Sequence, residues 1–135
     1  MSDFNEQVVA EFRAHHGKVG GPFEGAPLLL LHSTGAKTGS VRVSPLMYLP
    51  DDEHYVIFAS KAGSDSNPDW YHNLKKNPQA TIEVGDETLQ VVADEVEGRD
   101  RDDLYRKQAD LYSGFADYEK KTARVIPVVR LSTSA

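Results

Sequence analysis

Three basic residues stand where an anion could bind. Lys37 and Arg42 occupy a stretch between Gly25 and Pro50 that contains no Asp or Glu, although the whole chain carries 21 acidic against 15 basic residues. Lys61 comes directly after the predicted strand at 55–60. An unpaired carboxylate would oppose a bound anion, whereas lysine and arginine would neutralise it, and arginine can bind two oxygens at once. The stretch is therefore a candidate site for an anionic ligand group, with a solvated basic hairpin as the alternative.

Short predicted strands surround this stretch. The apolar run at 28–32 is bounded by turn residues and predicts a buried strand, and a turn with two glycines follows at 34–40. Residues 41–49 alternate between apolar and polar, the period of two that is typical of a strand, and Pro45 in their middle favours an edge position or a bulge. A third strand is predicted at 55–60.

Predicted helices flank the strands. Phe4, Val8 and Phe12 recur every four residues and predict an amphipathic helix over about 3–16. Asn67 before Pro68 fits an N-cap followed by proline at the first helical position, which predicts a helix that ends near residue 76. The remaining predicted elements are strands at 81–84, 88–93 and 125–131, a tight hairpin at 85–86, and helices at 99–112 and 115–124.

These elements predict an α+β fold that is mainly β, a small antiparallel barrel of six strands with flanking helices. We expect an N-terminal helix and glycine-rich loop over residues 1–26 and the barrel over residues 27–132. The net charge of −6 argues against a nucleic-acid partner. The chain has no cysteine and its histidines lack metal-binding spacing, so no metal is expected. A P-loop is excluded because Ala36 stands where that motif needs glycine. The N-terminus lacks a signal-peptide pattern, which favours the cytoplasm. Peripheral contact with the inner face of the membrane, through the first helix, is an alternative.

Four motifs in fixed order resemble one known family. They are Thr34-Gly35-Ala36-Lys37-Thr38-Gly39-Ser40-Val41-Arg42, Ser44-Pro45-Leu46, Ala59-Ser60-Lys61-Ala62-Gly63 and Asn67-Pro68-Asp69-Trp70-Tyr71-His72-Asn73-Leu74. Each is weak alone, but their order and spacing resemble the deazaflavin (F420)-dependent nitroreductases and F420H2-dependent quinone reductases. The resemblance covers the chain from about residue 28 to residue 131.

The resemblance implies a split β-barrel of the FMN-binding type that binds coenzyme F420. This cofactor joins a flat, largely apolar ring to a ribityl chain, a phosphate and an anionic tail. The resemblance implies an oxidoreductase that transfers hydride from reduced F420 to a flat electrophile such as a quinone or a nitroaromatic. The implied cofactor-binding residues are Lys37, Thr38, Gly39, Arg42, Pro45, Phe58, Ser60, Lys61, Asp69, Trp70 and Asn73.

An aromatic series supplies the candidate catalytic residues. Tyr112, Phe115 and Tyr118 recur every three residues, so one helix would place them on nearly one face, where Tyr112 or Tyr118 could hydrogen-bond a developing oxyanion. Phe115 would line the substrate pocket. Relatives that reduce bulky nitroheterocycles commonly carry tyrosine at that position, so this departure questions nitroimidazole reduction. The alternative for this aromatic stripe is a role in core packing. The same alternative applies to Trp70, since a lone tryptophan in a small domain is usually packed in the core.

Two alternatives to this function remain open. One is a non-catalytic carrier of F420 or a related ligand, and the other is an oxidoreductase of the same fold that uses FMN. The expected partner is a small-molecule substrate, and the protein would be a monomer or a homodimer.

Overall fold

The computed structural model describes residues 3–20, 27–51, 54–63 and 66–133, with the side chains of residues 3–5 and 62 outside that description. Its helices are α1 (Asp3–Ala14), α2 (Asp69–Lys76), α3 (Gly98–Leu111) and α4 (Gly114–Lys121), with a 3₁₀ turn at Lys61–Gly63. Its strands are β1 (Leu28–Thr34), β2 (Val41–Met47), β3 (Leu49–Asp51), β4 (His54–Phe58), β5 (Gln79–Val84), β6 (Glu87–Val96) and β7 (Val128–Thr133).

The strands form one antiparallel sheet that curls into a split β-barrel. Their order is β2-β1-β5-β6-β7-β4-β3, so β2 and β3 lie at opposite edges. Only Tyr48 separates these two strands in the chain, and its backbone N–H still donates to the carbonyl of Pro27 at 3.1 Å. One bent segment therefore pairs first with β1 and then with β4, which joins the two edges of the sheet. The predicted fold class is confirmed, and the seventh strand arises because the predicted strand at 41–49 breaks at Tyr48.

Strand β1 is buried on both faces, which explains its unbroken apolar run. Leu29 and Leu31 belong to the core inside the curled sheet, together with residues of α2. Leu28 and Leu30 face the other way and pack against α1. Burying a side chain of this size stabilises the fold by about 1.5–3 kcal/mol. The strand is therefore the wall that separates the barrel core from the N-terminal helix.

Helix α1 lies on the outer face of the barrel. Val8 and Phe12 are buried there beside Leu28 and Leu30. The predicted amphipathic helix is thus confirmed for these two residues, whereas the side chain of Phe4 lies outside the described residues. None of the described helices combines the length and the apolar character that crossing a bilayer requires.

Helices α3 and α4 pack on the outside of β4 and β7. Their shared cluster includes Leu104, Tyr105 and Phe115, which contact strand residues such as Val56 and Val128. The hydroxyl of Tyr105 donates a hydrogen bond to the carbonyl of Phe115 at 2.7 Å. Burial raises the pKa of Tyr105, so the hydroxyl stays protonated and remains a donor. Helix α3 thereby fixes the first turn of α4.

Two local predictions differ from the structure. Helix α2 begins at Asp69 with Pro68 at the N-cap, and the side chain of Asn67 accepts a hydrogen bond from Arg124 at 2.7 Å instead of capping the helix. The side chain of Asn67 therefore binds the guanidinium of Arg124, which is distant in the chain, and makes no capping hydrogen bond to α2. Strand β7 begins at Val128, three residues later than predicted, and Val125 is exposed.

Candidate functional site

A groove runs along β2, opposite the first turn of α2. It consists of three adjoining chambers, which share lining residues. The turn chamber has a volume of about 330 Å³ and is lined by Gly35, Ala36, Lys37, Thr38, Arg42, Asp69, His72 and Asn73. The middle chamber, of about 610 Å³, is lined by Thr38, Ser40, Val41, Arg42, Val43, Ser44, Asp69, Trp70 and Asn73. The apolar chamber, of about 530 Å³, is lined by Ser44, Pro45, Leu46, Met47, Phe58, Ser60, Lys61, Pro68, Trp70, Phe115 and Tyr118.

The turn between β1 and β2 is closed by its own backbone. The N–H of Gly35 donates to the carbonyl of Ser40 at 2.7 Å, and the N–H of Gly39 donates to the carbonyl of Gly35 at 2.9 Å. A Cβ on Gly35 would lie 2.8 Å from Oγ1 of Thr38 and 3.1 Å from the carbonyl oxygen of Ser40, so the tight turn has little room for a side chain there. Gly39 has open space around it but a φ of +74°, which favours glycine for conformational reasons.

Helix α2 holds this turn from the opposite side. The side-chain amide of Asn73 accepts a hydrogen bond from the N–H of Ala36 at 2.9 Å and donates one to Oγ of Ser33 at 3.2 Å. Nζ of Lys76 donates to the carbonyl of Ala36 at 2.7 Å. Asn73 is buried, with 5% of its surface exposed. Both backbone groups of Ala36 are therefore engaged by α2, and Asn73 lines the groove while its amide positions the turn.

The turn chamber is cationic. Lys37 and Arg42 both line it, both are exposed, and neither forms an ion pair with a residue in the described ranges. The backbone N–H groups of Lys37 and Thr38 have no backbone acceptor among the described residues. Free N–H groups in a tight turn, beside two cations, form a concave site that suits a phosphate or a carboxylate. Asp69 is the one acid among the lining residues, and it stands where this chamber meets the middle one.

The apolar chamber has a different chemistry. Leu46, Met47 and Phe58 form its walls with Phe115, and its polar groups include Ser60 at the end of β4. The ring of Phe115 packs edge-on against Phe58, with 5.7 Å between ring centroids. Apolar and aromatic walls with a few polar groups are typical of a site that takes an aromatic ring system.

The remaining polar groups of the apolar chamber come from two elements. Tyr118 of α4 lines it, with its ring 5.3 Å from that of Phe115 between centroids. Lys61 also lines this chamber, and its Nζ donates to Oγ of Ser66 at 3.3 Å. Lys61 therefore lies in a different chamber from Lys37 and Arg42.

Most of the sequence-predicted residues come together in this groove. Trp70 fits both the ligand-binding and the core-packing interpretation, because it lines two chambers and is also buried in the barrel core. Gly39 belongs to the turn without lining a chamber. Tyr112 is the exception: it caps the C-terminus of α3 and packs against the outer cluster, whereas Phe115 and Tyr118 lie on α4. The three aromatic residues therefore do not share one helical face, because the chain bends between α3 and α4.

Three residues with structural roles at the groove have no clear signal in the sequence. Lys76 donates to the carbonyl of Ala36 in the turn between β1 and β2, and Tyr105 donates to the carbonyl of Phe115 at the start of α4. Arg124, between α4 and β7, donates to the carbonyls of Ala59 and Ser60 at the end of β4. Each contact joins residues that are distant in the chain, so no local pattern could indicate it. Within the described ranges, no cluster of three or more His, Asp or Glu residues could hold a metal ion.

Comparison with known proteins agrees with this geometry. The family model described as F420H(2)-dependent quinone reductase matches residues 5–133. An F420H(2)-dependent quinone reductase of Mycobacterium tuberculosis is 40% identical over 129 residues, which cover 91% of this chain and 85% of the relative.

Solved structures agree as well. The structure of an F420-H2 dependent reductase superposes with a TM-score of 0.72 at 37% identity and covers 78% of this chain and 94% of its own. A domain-swapped dimer superposes with a TM-score of 0.74 at 32% identity and covers 96% and 98% of the two chains. The resemblance drawn from the four motifs is confirmed, and the chain belongs to the F420H(2)-dependent quinone reductase family.

Proposed function

We propose that this protein transfers hydride from reduced coenzyme F420 to a quinone. The observation that carries the proposal is the polarity of one continuous groove. At the turn chamber it has two cations and two backbone N–H groups without a backbone acceptor among the described residues, and at the other end its walls are mainly apolar and aromatic. Coenzyme F420 has the matching polarity, with an anionic phosphate and tail at one end and a flat ring at the other. The residues present therefore fit the cofactor that the family name implies.

The turn chamber would hold the anionic part of F420. Lys37 and Arg42 would neutralise the phosphate or a tail carboxylate, with Arg42 able to contact two oxygens. The N–H groups of Lys37 and Thr38 would add hydrogen bonds from the backbone. Asp69 would face the neutral ribityl hydroxyls rather than the phosphate, because it lies towards the middle chamber.

The apolar chamber would hold the ring and the quinone. Pro45, Phe58 and Trp70 supply apolar surface, and Ser60 offers a hydroxyl and a backbone N–H at the end of β4. These walls would exclude water from the reacting centre, which strengthens the electrostatic interactions inside it. Lys61 lies at this end of the groove, so we assign it to the ring or the substrate rather than to the tail.

Reduced F420 supplies the two electrons as a hydride when it is bound. The protein supplies position and a proton donor. Tyr118 lines the chamber and would hydrogen-bond the quinone oxygen as negative charge develops there. Its hydroxyl, or a water molecule beside it, would deliver the proton. Phe115 would shape the pocket without a hydroxyl, which favours quinones over bulky nitroaromatics as substrates.

A fluorescence titration tests the cofactor assignment. The purified protein would be titrated with oxidised F420 and, in parallel, with FMN. The same titration would follow for Lys37→Ala and Arg42→Ala, with Lys107→Ala, an exposed position on α3, as the control. We expect saturable F420 binding that both groove variants weaken, more at low than at high ionic strength, and that the control leaves unchanged.

Turnover with a soluble quinone then separates the remaining alternatives. Reduction of the quinone by reduced F420 supports the proposed reaction. Tight F420 binding without turnover on quinones or nitroaromatics would indicate a carrier. Preference for FMN over F420 would overturn the cofactor assignment.

The oligomeric state is a separate question, for which we propose a monomer or a homodimer. Sedimentation velocity at several protein concentrations measures it directly, and a higher oligomer would contradict the proposal.

A further inference from the structure

The side chain of Arg124 joins two segments that meet at the apolar chamber. Its Nη1 donates to Oδ1 of Asn67 at 2.7 Å. Its Nη2 donates to the carbonyls of Ala59 at 3.1 Å and Ser60 at 3.0 Å. Arg124 is half-buried. It lies after α4 in the chain and so belongs to neither of the two segments that it joins. One guanidinium therefore holds the two residues that follow β4 and the residue before the N-cap of α2 in a fixed relation.

Both segments carry walls of the apolar chamber. Ser60 lines it directly, and the next residue, Lys61, has a φ of +45°, a left-handed conformation that is strained for a residue with a side chain. The carbonyl of Ser60 also accepts the N–H of Gly63 at 2.9 Å, which closes the 3₁₀ turn. Such strain persists only where surrounding contacts hold the backbone in place. Arg124 supplies two of those contacts.

The second segment leads to the single tryptophan of the chain. Asn67 precedes Pro68, and Trp70 follows in the first turn of α2, where both Pro68 and Trp70 line the apolar chamber. Because Asn67 is engaged by Arg124, the start of α2 is fixed relative to the end of β4.

The third wall, α4, rests on the same turn. A Cβ on Gly63 would lie 3.0 Å from Cβ of Lys121 and 3.1 Å from the carbonyl of Tyr118, so α4 packs on Gly63 without a gap. Tyr118 is therefore placed relative to Ser60 through this contact. The geometry of the turn sets how far the hydroxyl of Tyr118 stands from the residues on the opposite wall.

We propose that Arg124 is a positioning residue, which fixes the separation of Ser60, Trp70 and Tyr118 around the apolar chamber. It does not touch the ligand groove itself, and it acts through the backbone of the Ser60 turn and through Asn67. The planar fork of arginine reaches these three acceptors from two separate nitrogens, whereas the ammonium of lysine donates from a single nitrogen. The catalytic part of the proposal rests on the proposed function, since it assigns the ring and the quinone to this chamber.

Two variants test the proposal. Arg124→Lys keeps the charge and is the milder change, and Arg124→Gln removes the charge. Arg106→Gln, an exposed position on α3, is the matched control. Circular dichroism and thermal unfolding would first show that each variant is folded. The lysine variant keeps the test informative if the glutamine variant does not fold.

The first readout is the fluorescence of Trp70 in the protein without cofactor. We expect a red-shifted emission and stronger acrylamide quenching in both Arg124 variants, with glutamine shifted further than lysine and the control unchanged. An unchanged Trp70 signal in a folded Arg124→Gln protein would overturn the proposal. This readout is independent of F420.

The second readout separates binding from chemistry. We expect the F420 dissociation constant to change by less than about threefold, because Lys37 and Arg42 bind at the other end of the groove. Single-turnover hydride transfer to a quinone should slow by about 10²-fold, because a small misplacement of reacting groups is enough for such a loss.

The two proposals fail in different ways. If the wild-type protein does not bind F420, the proposed function fails and takes the catalytic part with it, whereas the Trp70 signal still decides whether Arg124 holds the chamber. If F420 affinity and hydride transfer fall equally in the variants, Arg124 supports the whole groove and is not specific to its apolar end, which would overturn the assignment.

Discussion

The side-chain carbonyl of Asn73 accepts a hydrogen bond from the backbone N–H of Ala36 at 2.9 Å. This contact joins helix α2 to the turn between β1 and β2, which carries Lys37. The residue next to Lys37 is thus fixed by a buried amide, and the cations of the turn chamber depend on a helix 37 residues further along the chain.

Replacing Asn73 by alanine should weaken both the fold and the anion site. The loss of a buried amide leaves the N–H of Ala36 without its partner, which should lower the free energy of unfolding by about 1–3 kcal/mol. Affinity for F420 should fall about tenfold because the backbone of Lys37 is no longer held. Urea unfolding and fluorescence titration measure the two effects. Asn77→Ala, on the residue that ends the same helix, is the control and should change neither.

Removing the hydroxyl of Tyr118 should slow the reaction without affecting cofactor binding. Tyr118 lines the apolar chamber, so Tyr118→Phe should lower kcat for quinone reduction by about 10²-fold while F420 affinity stays constant. Tyr112→Phe should have little effect on kcat, because Tyr112 packs against the outer cluster. Steady-state kinetics decide between them. A larger loss in Tyr112→Phe would make Tyr112 the proton donor, and an equal fall in affinity and kcat for Tyr118→Phe would contradict its role.

Gly63 and Gly98 form a natural pair for testing the contact between α4 and the Ser60 turn. Both have positive φ, +81° and +67°, so alanine carries a similar conformational cost of about 1 kcal/mol at each. A Cβ at Gly63 would in addition meet Lys121 and the backbone of Tyr118, whereas a Cβ at Gly98 meets nothing within 4 Å.

The Gly63→Ala variant should therefore lose about 1–3 kcal/mol more stability than Gly98→Ala, which is the usual cost of overpacking. It should also reduce quinone turnover, because α4 must shift. Chemical denaturation and kinetics check both expectations. Equal losses in the two variants would mean that α4 does not rest on Gly63.

The acid stability of the protein should depend on Glu83. The hydrogen bond from Arg13 lowers the pKa of Glu83 below its ordinary value of 4.5, with a further contribution from His32 and opposition from burial. A carboxyl whose pKa is lower in the folded state contributes stability above its unfolded pKa and loses it as the pH falls through the folded value. This contribution is therefore present at neutral pH and disappears below pH 4.5.

We expect Glu83→Gln to lower the free energy of unfolding at pH 7 and to flatten its fall below pH 4.5. Glu87→Gln, an exposed position on β6, serves as the control and should retain the wild-type profile. Urea unfolding at a series of pH values gives both curves. Coinciding curves for Glu83→Gln and the wild type would show that the interactions of Glu83 with Arg13 and His32 add no stability.

A hydroxyl at position 115 should change substrate preference. Phe115 is 9% exposed and lines the apolar chamber, so Phe115→Tyr would bring a second phenol to the edge of the pocket. A second donor can stabilise charge on a nitro group. The ratio of kcat/KM for a nitroimidazole to that for a quinone should therefore rise, and a constant ratio in a folded variant would show that Phe115 does not select the substrate.

Local patterns in the sequence predicted most of the elements correctly. The hairpin at Gly85 and Asp86, the glycine turn before β2 and the edge position of Pro45 all follow from the conformational limits of single residues. The absence of acids around Lys37 predicted a cationic turn, because electrostatic compatibility with a ligand would constrain residue types directly. Such signals are carried by neighbours in the chain and need no knowledge of the fold.

Contacts between distant residues could not be predicted in this way. Asn67 has a residue type and position that predict a helix cap, yet its side chain accepts a hydrogen bond from Arg124, 57 residues further along the chain. Lys61 has the same charge as Lys37, and only the path of β4 places it at the other end of the groove. Tyr112 has the spacing of one aromatic stripe with Phe115 and Tyr118, but the bend between α3 and α4 places it on a different helical face.

The sequence by itself determined the barrel's elements, the cationic turn and the family to which the chain belongs, because periodicity, turn chemistry and motif order are properties of residues close together in the chain. The tertiary structure alone decided which of these residues share a chamber and which hold it in shape. Those relations depend on strand pairing and on side chains such as Arg124 and Asn73 that join distant segments, and the free energy of such contacts exists only once the chain has folded.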